Sequence, residues 1–164
     1  MIRSSSSLPA VVDSRGAGPT PAFTDHISSA PLDAAAMLKD AHHPGAGAVV
    51  LFSGEVRNNN RGRGVAYLEY EAHAALASKM IAQILEEAKA KWQLEIAVGR
   101  HRTGRVKIGE TAVVVITAAP HRKEAYAANE YIIGRIKHEA PIWKCEYFED
   151  GSHEWGNNCN CGPC

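Results

Sequence analysis

Two lysines stand out as candidates for proton chemistry. The stretch RIKHEAPIWKCE, from Arg135 to Glu146, sets Lys137 at the end of a helical pattern and Lys144 inside a strand pattern, with Pro141 between them. A tight helix-to-strand turn can bring two ammonium groups into one cleft, where they stabilise negative charge and hand over protons. Other cations also gather where elements end. Arg57, Arg61 and Arg63 follow one strand pattern, His101 and Arg102 close another, and His121, Arg122 and Lys123 open a helix. A helix N-terminus offers unpaired N–H groups and a partial positive charge, and an arginine there adds a planar fork suited to phosphate.

Each of these residues has a plainer reading. Lys144 shares a strand face with Ile142 and Phe148 and could snorkel to water from a sheet edge. Lys137 complements the dipole of a helix C-terminus. His121 and Arg122 could form a solvated first turn. On local spacing alone the plainer reading leads for both lysines and is level with an anion site at His121 and Arg122. The pairing of the lysines across Pro141 favours the chemical one. Competing motifs are missing: the sequence has no Walker loop, no GxGxxG, no HExxH and no nucleophile elbow.

The elements that would position these residues can be read from pattern. AVVLFSGEV (48–56) reads as a buried strand and RNNNRGRG (57–64) as a long basic loop. VAYLEYEAH then alternates, with Ala66, Leu68 and Tyr70 on one face. The clearest helix is 75–92, with Leu76, Met80, Ile84 and Ala88 in its apolar stripe, Ile81, Leu85 and Trp92 beside it, and Glu87 and Lys91 as an i,i+4 pair. LEIAVGRHRTG and ETAVVVITAA read as strands joined by a connection, RVKIG. A second amphipathic helix spans 121–140 with Ala125, Ala128, Ile132 and Ile136 buried, and Pro141 stops it. PIWKCEYFED reads as the last strand, with Ile142, Lys144, Glu146 and Phe148 on one face and Trp143, Cys145 and Tyr147 on the other. Before these lie a short edge strand in AFTDHIS and a helix in PLDAAAMLKDAHH with Pro31 near its first turn. The expectation is an α+β fold with a mainly antiparallel sheet and two long amphipathic helices.

Composition narrows the function. At 164 residues the chain suits one domain, and its net charge of zero argues against a generic nucleic-acid binder. No apolar run reaches the roughly 20 residues of a membrane span, and the N-terminus has no secretory h-region, so a cytoplasmic setting is expected. Residues 1–21 are rich in Ser, Pro and Gly and are expected to be a disordered extension, with the domain at 22–156 and a Cys-rich tail at 157–164. In that tail Cys159, Cys161 and Cys164 have a C-x-C-x-x-C spacing that could gather one soft metal ion, with His153 or Cys145 as a fourth ligand. Three cysteines do not close a tetrahedral site, so an uncoordinated, dispensable tail is the expectation.

GAVVLFSGEVRNNNRG, LEYEAH, HRTGRVKIGE and AAPHRKEAYAANEYIIGRIKHEAPIWKCE, in this order, resemble the large, catalytic subunit of molybdopterin synthase over about residues 46–155. The resemblance implies an α/β hammerhead-type fold and a homodimer. Each large subunit would bind a small ubiquitin-like (β-grasp) subunit, giving a heterotetramer. That partner's C-terminal Gly-Gly thiocarboxylate would deliver sulfur to cyclic pyranopterin monophosphate, and two sulfurs would build the dithiolene of molybdopterin. No metal or organic cofactor is implied. The resemblance makes Lys137 and Lys144 the catalytic residues, with Lys137 in the acid/base role and in contact with the thiocarboxylate and Lys144 steadying the developing charge. It matches Arg57, His121 and Arg122 to substrate-binding positions, with Glu55, Val56, Cys145 and Glu146 flanking the site. Two positions depart from the family's pattern: Cys145 stands where a basic residue is often found, and charged residues that commonly follow the position of Trp155 are replaced by GNNCNCGPC. The alternative is a non-catalytic module that docks a ubiquitin-like protein or a phosphorylated ligand, a role with no need of both lysines.

Overall fold

The structure is a computed structural model that describes residues 25–157. It contains two sheets. The first is built from β1 (Ile27–Ser28), β5 (Ile96–Arg102), β7 (Thr111–Ala119) and β2 (Ala48–Glu55), in that spatial order. The second runs β3 (Asn59–Asn60), β4 (Arg63–Ala72), β8 (Ile142–Phe148) and β9 (His153–Asn157), with β6 (Gly104–Lys107) also paired to β4. Three helices complete the fold: α1 (Ala34–Lys39), α2 (Ala74–Trp92) and α3 (Arg122–Glu139). Helices α2 and α3 cover one face of the first sheet and the shorter α1 covers the other.

Strand β7 is buried along nearly its whole length because both faces of its sheet are covered. Val115 and Ala119 join the main core with Ile81, Ile84, Ile132 and Ile136 of the long helices, while Val114, Ile116 and Ala118 pack towards α1. Asn129 is the polar exception on the buried stripe of α3. Its amide donates to the carbonyls of Val50 and Val115, so the helix is keyed to two neighbouring strands. Gly99 lets β5 approach both helices: a Cβ there would sit 3.3 Å from Ile81 and 3.4 Å from Ile136.

The α+β class holds, with corrections. Pairing is antiparallel except at β1, which runs parallel to β5, so the first sheet is mixed. The edge strand expected in AFTDHIS is reduced to Ile27–Ser28, and RVKIG contains a strand rather than a mere connection. PIWKCEYFED is not the last strand, because β9 follows it. The basic loop is shorter than expected. Asn59 and Asn60 pair with Gly64 and Arg63 around Arg61 and Gly62, whose φ values of 52° and 80° are those of a two-residue hairpin turn. Ala66 does not share a face with Leu68 and Tyr70. A bulge between Val65 and Tyr67 turns it outward and seats Val65 opposite Phe148. The first helix starts at Ala34 with Asp33 as its N-cap, so Pro31 precedes it.

The buried face of α2 includes Ile81, Ile84, Leu85 and Ala88 as expected, but its first turn departs from the expected stripe. Leu76 is 46% exposed and Ala77 is fully buried, because His73 caps the helix and turns the Ala77–Ile81–Leu85 row inward. Glu87 pairs with Arg135 of α3 rather than with Lys91, whose ammonium lies over Trp92 and Tyr131. No helix of the described residues is long and apolar enough to cross a membrane.

Candidate functional site

Strand β8 alternates as its sequence requires, and the alternation builds the site. Lys144 and Glu146 face inward, opposite Tyr70 and Leu68 of β4 in the pairing register. Pro141 ends α3 one turn after Lys137, and Ile142 begins β8 directly, so Lys137 and Lys144 meet in one cleft. The cleft has a volume of about 250 Å³ and is completed by Glu55, Arg57, Asn59 and Asn60 from the end of β2 and the hairpin that follows.

The polar groups in the cleft form a chain. Lys144 Nζ lies 2.7 Å from Glu146 Oε1, and both side chains are buried. Asn60 Nδ2 donates to Glu146 Oε2 at 2.6 Å, and Arg57 Nη2 approaches Asn60 Oδ1 at 3.5 Å. Burial pushes the Glu146 carboxyl up, but hydrogen bonds from Lys144 and Asn60, with the charges of Lys144 and Arg57, outweigh it and hold the group below the usual carboxylate range. Lys137 is half-buried and has no ion-pair partner among the described residues. The cleft therefore holds one neutralised lysine and one that is not.

Two aromatic groups back this arrangement. Tyr70 lines the cleft, and its phenol is pushed up to about 12 by burial and then by the Glu146 charge. Its ring meets His101 edge-on, with centroids 4.9 Å apart. His101 is lowered to about 4, first by burial and also by the charge of Lys137, while its Nδ1 donates to the Arg102 carbonyl at 2.8 Å. A neutral imidazole thus sits behind the cleft across the working pH range.

The residues singled out from the sequence divide accordingly. Glu55, Arg57, Lys137, Lys144 and Glu146 line the cleft together. Val56 is buried in the core beside it. Cys145 projects to the opposite face of its sheet from Lys144, where its thiol is pushed up by burial. His121 and Arg122 are exposed at the N-terminal end of α3, and the helix carries them roughly 22 Å from Lys137 at about 1.5 Å per residue. One chain does not bring them into the cleft. Cys159, Cys161 and Cys164 lie outside the described residues. His153, named with them as a possible fourth ligand, stacks on Tyr147. Asn60, Leu68 and Tyr70 were missed as cleft residues, while His101, named among the cations, proves to be a buried ring behind the cleft. For Leu68 and Tyr70 the strand alternation was a usable signal once β4 is paired with β8, but Asn60 had no signal beyond its turn.

Three cationic and two carboxylate side chains thus share one half-open cleft on an α+β scaffold. Comparisons with known proteins give the family. A model of the MoaE protein family matches residues 27–139. The chain is 49% identical over 113 residues to the molybdopterin synthase catalytic subunit of Staphylococcus carnosus, covering 69% of this chain and 75% of that one. It is 44% identical over 129 residues to that of Bacillus subtilis, covering 79% and 82%. The crystal structure of molybdopterin synthase from Staphylococcus aureus superposes with a TM-score of 0.76 at 40% identity, covering 82% of this chain and 97% of that one. A complex of subunits 1 and 2 of molybdopterin-converting factor from Helicobacter pylori superposes with a TM-score of 0.66 at 25% identity, over 79% and 88%. The chain belongs to the MoaE protein family, that of the catalytic subunits of molybdopterin synthase.

Proposed function

We propose that this chain is the sulfurtransferase subunit that converts cyclic pyranopterin monophosphate to molybdopterin, taking sulfur from the C-terminal thiocarboxylate of a small ubiquitin-like partner. The observation that carries this reading is the cleft's unequal pair of lysines: Lys144 ion-paired with Glu146, and Lys137 without a carboxylate partner among the described residues. Sulfur attack on a substrate carbon forms a C–S bond as a C–O bond breaks, and the departing oxygen needs a proton. Lys137, at the cleft wall, serves as that acid and meets the thiocarboxylate. Lys144, paired with Glu146, steadies the negative charge that develops. Arg57, exposed at the rim, takes an anionic group of the pterin. Water then releases the partner's tail as a carboxylate, and a second donor repeats the step for the second sulfur.

The complex of two subunits seen in the Helicobacter pylori relative supports a small partner here. We propose a homodimer of this chain with one partner on each copy, working in the cytoplasm and without a metal or organic cofactor. The catalytic unit is taken as 22–156, with 1–21 and the Cys-rich 157–164 outside it. If His121 and Arg122 bind substrate, the length of α3 requires that they reach the cleft of another copy.

The test is reconstitution of the purified chain with thiocarboxylated partner and precursor. Dithiolene formation is expected, and a partner lacking its last two glycines should give none even when it docks. Partner binding without any conversion would leave a docking module and sink the enzyme assignment.

A further inference from the structure

Arg102 and Glu110 lie outside the cleft, in the HRTGRVKIGE stretch, yet their contacts converge on one of its walls. Arg102 ends β5 and is 9% exposed. Its Nη1 donates to Glu110 Oε2 at 2.9 Å and its Nη2 to the Arg105 carbonyl at 3.0 Å. The same Glu110 oxygen accepts the Lys107 N–H at 3.0 Å, and the Glu110 N–H returns to the Lys107 carbonyl at 3.0 Å. The carboxylate therefore closes the turn between β6 and β7. That turn passes through Gly109 at φ 80°, a conformation that favours glycine.

The closed turn grips Val56 from both sides. Gly109 N–H donates to the Val56 carbonyl at 2.7 Å, and Val56 N–H donates to the Glu110 carbonyl at 3.1 Å. The Val56 side chain is buried, so the residue before Arg57 is fixed by its backbone and by its side chain. The hydrogen bond from the Lys107 backbone holds Glu110 below the usual carboxylate range, ahead of the opposing effect of burial and the further help of Arg102.

We propose that Arg102 and Glu110 are positioning residues that act through Val56 to aim Arg57 at the anionic group of the substrate. This rests on the reading of Arg57 given above. Without the clasp, the β6–β7 turn is free to open, and Arg57 must be ordered when substrate binds.

The experiment uses the complex with the partner subunit and cyclic pyranopterin monophosphate as the probe. Glu110→Ala, Arg57→Ala and their double variant are compared by calorimetric affinity and by KM and kcat, with amide exchange followed at Val56 and at Val115 in the core. Glu110→Ala is expected to weaken precursor binding by about tenfold, the scale of one lost charge-assisted hydrogen bond, while kcat stays unchanged. Glu110→Gln, whose amide oxygen can still accept both hydrogen bonds, recovers most of the affinity. Exchange at Val56 accelerates while Val115 stays protected. In the Arg57→Ala background, Glu110→Ala costs nothing further, because the two act as one unit. Additive losses in the two backgrounds, or unchanged exchange at Val56, overturn the clasp while leaving Arg57 a binding residue. Normal precursor affinity in Arg57→Ala overturns the reading of Arg57, and this proposal with it.

Discussion

Glu146→Gln removes one charge from the cleft and almost no volume. The carboxylate and the Lys144 ammonium are 2.7 Å apart, with side chains only 9% and 8% exposed. Taking away one member of such a pair leaves the other charge buried, at a cost of about 3–5 kcal/mol. The cleft mouth admits water, so the lower end applies. About 3 kcal/mol corresponds to a fall in Tm of roughly 6–12 °C for a chain of this size. Replacing both partners with apolar groups of similar volume, as in Lys144→Met with Glu146→Leu, is often neutral or stabilising. The prediction is therefore a crossed result: Glu146→Gln is destabilised and nearly inactive, while the double variant melts near the wild type and is also inactive. Thermal and urea unfolding, with turnover measured in the reconstituted assay, would separate the two effects. A Glu146→Gln protein that melts with the wild type would show that water already solvates the pair. A double variant as unstable as the single one would place the cost in packing, and an active double variant would refute the role given to Lys144.

Lys137→Ala should lower turnover by about 10²–10³, the usual cost of one charge-stabilising donor, with Tm unchanged because the lysine is half-buried and lacks an ion-pair partner among the described residues. Arg57→Ala should raise KM for the precursor by about tenfold and leave kcat nearly intact, as expected for a rim contact made equally in ground and transition states. Stability should fall on acidification because of His101, whose folded pKa of about 4 lies below an unfolded value of about 6.5. Above that upper value neither state is protonated and pH has no effect through this group. Below it the unfolded chain binds a proton that the buried ring refuses, so stability drops by up to about 1.4 kcal/mol per pH unit until the lower value is passed. Urea unfolding at several pH values should show this slope, and His101→Phe should flatten it; an unchanged slope would place the proton uptake elsewhere.

The sequence carried the cleft in proportion to how local its determinants were. The alternation of β8 and the stop at Pro141 are read within a dozen residues, and both lysines appear where that reading put them. Elements defined by partners distant in sequence were harder. β6 is a strand only because Tyr67–Tyr70 of β4 lie beside it, and β9 because β8 does. β1 is two residues aligned by backbone bonds such as His101 N–H to the His26 carbonyl, which leave no side-chain pattern to find. The outward turn of Ala66 depends on a bulge, and a one-residue insertion inverts every face assignment before it. Spacing grouped His121 with the other cations because it counts residues, not ångströms along a rigid helix.

Residue spacing alone gave no ground for dividing the roles of the two lysines; that division came with the family resemblance, and their surroundings agree with it. Lys144 faces a carboxylate that is itself held by Asn60, so giving up its proton would leave Glu146 charged, buried and without its counter-ion. That geometry agrees with the proposed role of Lys144 in steadying charge. Lys137 has no ion-pair partner among the described residues, and its charge helps to lower the buried His101 imidazole. The proposed division of labour matches which lysine received a carboxylate, and the crossed Lys144–Glu146 variant and Lys137→Ala test its two halves separately.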